Sequence, residues 1–288
     1  GYLVKTDVSL SEVVDKVKLS AKAGLILLKT SQKIDNLVFD NGSLARFLDM
    51  RGARARNGFF IFDENYPAEA QVFSGELNNE IGLEKISADQ GKMQIFNSRG
   101  DLWYDGSPFG VEYKGDLRVA VGEFSGDVEK SLVVADAQGG VNLYNYYGGV
   151  IKEYFYPWGK KIGRSFSVAL GNVDVDGNVV LGGGGLGRTG VVMIYDRNLN
   201  KMRRTFFPYG TAYRGGVEVA VGDVNGDGLG EIITAQSGLS SVTVRVWNAK
   251  AKKLSEFKVS STFGGTKIRL GTADVNFDGK DEIVVMSK

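Results

Sequence analysis

Oxygen-bearing side chains recur at alternate positions in two short loops, and they set the chemistry to look for. The first loop places Asp223, Asn225, Asp227 and Glu231 at positions 1, 3, 5 and 9, with Gly228 at position 6 and Leu229 at position 7. The second repeats the pattern with Asp274, Asn276, Asp278, Gly279, Lys280 and Glu282. Alternate side chains of one tight loop can wrap a hard cation. The glycine permits the sharp turn, the carbonyls of Leu229 and Lys280 can fill position 7, and the glutamates close the shell. Calcium takes six to eight such oxygens and is the expected ion. Asp/Asn/Gly loops also serve as ordinary turns whose carboxylates cap their own amides. Repetition of the whole set on one register favours the cation, in a structural role that ties strand to strand.

Other loops keep only parts of the pattern. Asn172, Asp174, Asp176 and Gly177 hold their places, but Val180 stands at position 9, so weak binding is expected. Glu123, Ser125, Asp127, Glu129 and Ser131 lack the glycine, and Asp63-Glu64-Asn65 runs into Tyr66-Pro67; neither is expected to bind. Gly182–Gly187 contains a Gly-x-Gly-x-x-Gly match, but a strand follows it instead of the helix a dinucleotide site needs. Arg99-Gly100-Asp101 spells an adhesion tripeptide, yet its counterparts Asn198–Asn200 and Lys250–Lys252 mark it as a plain hairpin turn. Arg51, Arg54 and Arg56 read as a solvated basic loop.

The 288 residues include no cysteine and no histidine. Disulfides, thiolate sites and cysteine nucleophiles are therefore excluded, and so are serine–histidine–acid triads and ordinary zinc sites. No catalytic residue is assigned, and the chain is expected not to be an enzyme. A net charge of +1 gives no basic field for nucleic acid, and no apolar run is long enough to insert in a membrane.

The residues flanking both cation loops are β-branched strand formers, so the loops are not those of an EF-hand. Strand, Asp-x-Asn-x-Asp-Gly-x-x-Glu loop, strand resembles the FG-GAP repeat of integrin-alpha-type β-propellers. Phe206-Phe207-Pro208-Tyr209-Gly210 and Arg214-Gly215-Gly216-Val217, just upstream, strengthen the likeness. It is clear over about 115–288 and implies a propeller whose blades are pinned by calcium.

Internal periodicity points independently to the same architecture. Glu123, Asn172, Asp223 and Asp274 end equivalent strands at spacings of 49, 51 and 51 residues. Apolar strands ending at Asn97, Asn145, Asp196 and Asn248 recur at 48, 51 and 52. The best unit reads as four strands, over 217–223, 231–235, 242–248 and 253–259, which is a propeller blade. The last unit stops after its second strand, and residues 1–15 resemble the missing half. The expectation is thus one all-β propeller domain over 1–288, with six four-stranded blades closed by the N-terminal segment. An alternative is five or seven blades with an N-terminal helical appendage, since Ser9–Glu12 is also a capping box. Tyr154–Trp158 and Phe206–Tyr209 should fill wedges between blades. Tyr146, Tyr147, Trp158 and Tyr213, if exposed together, could stack on sugar rings.

These observations imply a non-catalytic, calcium-stabilised binding or adhesion module. It is expected to be secreted, extracellular or on a cell surface, where calcium is abundant, and to recognise a protein or a glycan. A carbohydrate-active enzyme (polysaccharide lyase or glycosidase) and an architectural domain of a larger surface protein or assembly are the alternatives.

Overall fold

The computed structural model describes residues 37–40, 44–49, 51–60, 71–75, 77–78, 84–97, 99–124, 127, 129–159, 167–185, 188–236, 241–260, 268–274, 276 and 278–287. These form strands and turns, with no helix among them. The possible helix after Ser9 lies outside the described residues.

Three strands come first: β1 (Leu37–Asp40), β2 (Leu44–Leu48) and β3 (Arg54–Phe60). Four groups of four follow. They are β4 (Gln71–Gly75), β5 (Glu84–Asp89), β6 (Lys92–Phe96) and β7 (Leu102–Gly106); then β8 (Leu117–Gly122), β9 (Ser131–Asp136), β10 (Val141–Asn145) and β11 (Val150–Phe155). Next come β12 (Ser167–Gly171), β13 (Asn178–Gly185), β14 (Arg188–Asp196) and β15 (Met202–Phe206), and β16 (Val217–Gly222), β17 (Glu231–Gln236), β18 (Ser241–Trp247) and β19 (Lys253–Ser260). The last pair is β20 (Ile268–Ala273) and β21 (Glu282–Ser287).

Each group pairs antiparallel in chain order, which makes a four-stranded meander. The inner strands of successive sheets then stand side by side. Ser167 Oγ of β12 accepts the Val219 N–H of β16 at 3.0 Å, and Thr272 Oγ1 of β20 donates to the Val221 carbonyl at 2.7 Å. Gly171 makes room there, since a Cβ on it would stand 2.7 Å from a Val221 methyl. Repeated meanders ranged around a common inner circle are a β-propeller.

The described residues form five sheets, where the sequence suggested six blades. The fifth has the order β20-β21-β2-β3, with its outer strands from residues 44–60; residues 1–15, expected to complete the last blade, lie outside the described residues. Arg46 faces Val285 and Phe47 faces Val284 across this seam. β1 adds a fifth strand to the inner edge of β4 and touches β20 on one side and β8 on the other, completing the inner circle. Pairing β2 with β21 gives each described sheet at least four strands.

β5 turns into β6 through only Gln90 and Gly91, both at positive φ (45° and 76°). Such two-residue turns match the twist of the paired strands.

The core lies between blades. One cluster joins Ile86, Met93 and Ile95 to Leu132, Val134 and Tyr144 of the next sheet, and three more repeat this around the ring. Middle strands are therefore buried on both faces, as in β9, whereas the outer strand β15 is almost wholly exposed. Phe155 packs edge-on to Tyr195 at 5.0 Å and Phe206 against Trp247 at 5.1 Å in the seams, with Tyr104 on Tyr144, whereas Tyr154 and Phe207 of the two expected aromatic runs are exposed.

Candidate metal centre

Both loops join the innermost strand of a blade to its second strand. In each, the register fixes position 9: Glu231 faces Gly222, and Glu282 faces Ala273. Position 9 is therefore the first residue of a strand, drawn inward by the sheet, and the two glutamates are only 3% and 4% exposed.

Position 2 anchors the loops from below. Val224 is 4% exposed and packs in the core shared by the fourth and fifth sheets. Leu77, Phe124 and Val173 hold the same place in the preceding loops, and all are buried. Each enters the seam with the following blade, so the loops are fixed by the core and not merely by their own hydrogen bonds.

Within the first loop, Asp223 Oδ1 accepts the amides of Gly226 (2.7 Å) and Asp227 (3.1 Å), and Oδ2 accepts that of Gly228 (2.8 Å). Asp227 Oδ1 accepts the Leu229 amide at 2.9 Å. The Asn225 side-chain NH2 then donates both to Asp227 Oδ2 (3.0 Å) and to Glu231 Oε1 (2.7 Å). Gly226 and Gly228 adopt φ of 83° and 87°, a region that costs other residues strain. The second loop repeats the arrangement. Asp274 accepts from Asp278 and Gly279, Asp278 Oδ1 accepts the Lys280 amide at 2.9 Å, and Asn276 donates to Glu282 Oε1 at 2.8 Å. The structure thus brings together Asp223, Asn225, Asp227 and Glu231, and likewise Asp274, Asn276, Asp278 and Glu282. Leu229 and Lys280 enter these networks through their backbone amides.

Among the described residues no three carboxylates stand close enough to grip an ion in this arrangement. In both loops the asparagine amide donates to the position 5 and position 9 carboxylates. Glu231 feels the shortfall. Burial, with the charges of Asp227 and Asp223, pushes its carboxyl up to about 7, although the amides of Asn225 and Val224 pull the other way. Its Oε2 is buried and has no hydrogen-bond partner.

The loop over 172–178 differs in a way its sequence conceals. Asn178, not Val180, pairs with Gly171 and so holds the place of Glu231. The loop is two residues shorter, and Asn178 closes it as a neutral amide, donating to Asp174 Oδ2 at 3.1 Å and to the Tyr195 carbonyl at 3.2 Å. Conversely, Glu84 faces Gly75 and holds the Glu231 place in the first sheet, where it is fully buried and accepts the Leu77 amide at 2.8 Å. Register was the missing signal in both cases.

The remaining candidates resolve into structure. Asn97 Oδ1 accepts the Arg99 and Asp101 amides, closing the Arg-Gly-Asp turn as Asn248 closes its own. Gly182 lets β13 approach Val217, whose carbonyl would lie 2.4 Å from an added Cβ, and Gly183 lies under Trp158. Arg51 is exposed in the turn after Asp49; the side chains of Arg54 and Arg56, and the segment Asp63–Asn65, lie outside the described residues. Tyr146 and Tyr147 pack edge-to-face at 4.9 Å on one hairpin, while Trp158 and Tyr213 are half-buried at the opposite ends of the blades. They do not form one aromatic surface.

Strand order and pairing together define a β-propeller, whose loops 223–231 and 274–282 carry the recurring Asp/Asn/Glu pattern. Residues 223–285 match the model of the FG-GAP-like repeat, and the chain carries that repeat there. No curated protein matches the chain. Solved structures of similar outline include BBS1N in complex with ARL6DN (15% identity, TM-score 0.47, covering 88% of this chain and 75% of that one). Saccharomyces cerevisiae Sqt1 (11%, 0.47, 91% and 71%) and the Dos1 propeller (12%, 0.45, 92% and 82%) are similar to the same extent.

Proposed function

We propose that this chain is a non-catalytic propeller module for recognition or assembly, stabilised by calcium in the loops 223–231 and 274–282. Glu231 carries the calcium reading. A carboxylate 3% exposed, with one oxygen unpartnered and two further carboxylates beside it, is costly unless a cation or a proton joins it. A half-turn of the Asn225 amide exchanges its N–H edge for its carbonyl oxygen. That rotation would add an Asn225 oxygen to those of Asp223, Asp227 and Glu231, the donor types calcium prefers. Asn276 is poised for the same rotation beside Glu282.

A ligand in these loops pins the inner strand of a blade to its second strand, and the buried position 2 residue passes that constraint to the next blade. The ring then serves as a rigid frame for its surface loops, which suits recognition of a protein or a glycan at an extracellular surface. Calorimetric titration with CaCl2 after chelator treatment is the test. Binding of two ions, with a rise in melting temperature reversed by chelator, is expected; neither heat nor a shift in the melt would refute the calcium reading. A glycan array probed in calcium then separates the two ligand classes. A hit selects the glycan, and a blank array selects a protein partner or an architectural role.

A further inference from the structure

The two complete loops touch. The Asp281 amide donates to the Asp223 carbonyl at 2.8 Å, and Asp281 Oδ2 accepts the Asp223 amide at 2.9 Å. Asp281 thus grips both backbone polar groups of the first residue of the neighbouring loop. It is itself position 8 of the second loop and the immediate neighbour of Glu282. The stem of Lys280 lies over Gly226, where an added Cβ would come within 2.9 Å of it. The approach depends on Gly222, because a Cβ there would lie 2.4 Å from Asp281 Oδ2.

The corresponding contact one blade earlier is weaker. Gly230 donates its amide to the Asn172 carbonyl at 2.7 Å, but glycine has no side chain to take the Asn172 amide in return. The two-sided grip therefore joins the two loops that keep the full donor set.

We infer that Asp281 is a positioning residue that makes the two calcium loops fill cooperatively. The inference rests on calcium binding as proposed above. An ion in the second loop fixes Glu282 and, through the shared backbone, Asp281. Asp281 then holds Asp223 in place, so the first loop has less freedom left to lose when its own ion arrives. Linkage makes the effect reciprocal. Direct repulsion between two dications opposes it but is screened, with a Debye length of about 8 Å at 0.15 M salt; a short hydrogen bond is not screened.

The test is a double-mutant cycle read by CaCl2 calorimetry at 0.15 M and 1 M NaCl. Glu282→Gln disables the second loop and leaves the first to be titrated alone. In the native background this should weaken the first loop roughly 5- to 10-fold, within the usual range of coupling between sites. In the Asp281→Ala background, Glu282→Gln should leave first-loop affinity unchanged. Unfolding curves in chelator confirm that each variant is folded. First-loop affinity indifferent to Glu282→Gln with Asp281 intact would overturn the coupling while leaving the calcium reading in place. Absence of binding at both loops would overturn both.

Discussion

The Asn225 side chain donates to Glu231 Oε1 at 2.7 Å while the other oxygen of that carboxylate is buried without a partner. An amide thus satisfies half of a charge that the sheet has drawn out of water. Replacing Glu231 by Gln removes the charge and keeps the shape. The variant should be at least as stable as the native protein in chelator at pH 8, and should lose the stabilisation that added calcium gives the native chain. Thermal unfolding with and without CaCl2 checks both halves.

The same carboxyl gives a pH dependence with a definite sign. Its folded value is about 7 against an ordinary 4.5, so the folded state holds the proton more tightly than the unfolded chain. The stabilisation from the protonated form is fully present below pH 4.5 and is lost as pH rises through 7. In chelator, the native protein should fall relative to Glu231→Gln by up to about 3 kcal/mol over that window. Denaturant unfolding of the two proteins at several pH values measures the difference, and parallel curves would contradict it.

Phe124 is 2% exposed, touches the ring-facing side of Gly177 in the next loop, and lies beneath the Arg197 guanidinium at 4.9 Å. Phe124→Ala should cost about 3–5 kcal/mol through the cavity it leaves between the second and third blades. Its own loop is not expected to bind metal, so calcium affinity at 223–231 should change little. Denaturant midpoints and calorimetry report the two quantities separately.

Ala45 faces Met286 across the seam that joins the chain's two ends. With no native cysteine to compete, the pair Ala45→Cys and Met286→Cys should form an intramolecular disulfide on mild oxidation, seen as a faster band on a non-reducing gel. A pair placed one residue out of register, Arg46→Cys with Met286→Cys, should form it more slowly. Equal rates would argue against this closure.

Buried Asn142 organises a local irregularity on the second blade. Its Oδ1 accepts the Tyr154 amide at 2.8 Å and its NH2 donates to the Pro108 carbonyl at 2.7 Å, where β11 carries an extra residue opposite β10. Tyr154 sits at φ 52° and is exposed. Asn142→Ala leaves the buried Pro108 carbonyl and the half-buried Tyr154 amide unpaired and should destabilise the fold by about 1–3 kcal/mol, whereas Tyr154→Gly relieves the backbone strain and should be neutral or stabilising. Unfolding midpoints distinguish the two.

Much of this architecture is legible in the amino-acid sequence. The spacing near 50 residues, the four strands of the unit over 217–260 and the donor sets of both loops are local patterns, written in alternation and in Asp, Asn and Gly at fixed offsets. Even the closing half-blade had a signal: Leu48-Asp49 continues the series of apolar strands ending at Asn97 and Asn145, at the same spacing of 48. Asp49 Oδ1 caps its own turn by accepting the Arg51 and Ala53 amides, as Asn248 does for Lys250 and Lys252. Tertiary structure decided what depends on register and on neighbours. That Asn178 and not Val180 faces Gly171, that Glu84 occupies the place of Glu231, and that Asp281 reaches Asp223 from the next blade are consequences of which backbone groups pair across sheets. A side chain's type fixes what it can bond. Only the pairing of distant strands fixes what stands opposite it, because hydrogen-bond register is set by the fit of whole blades and carries no local mark.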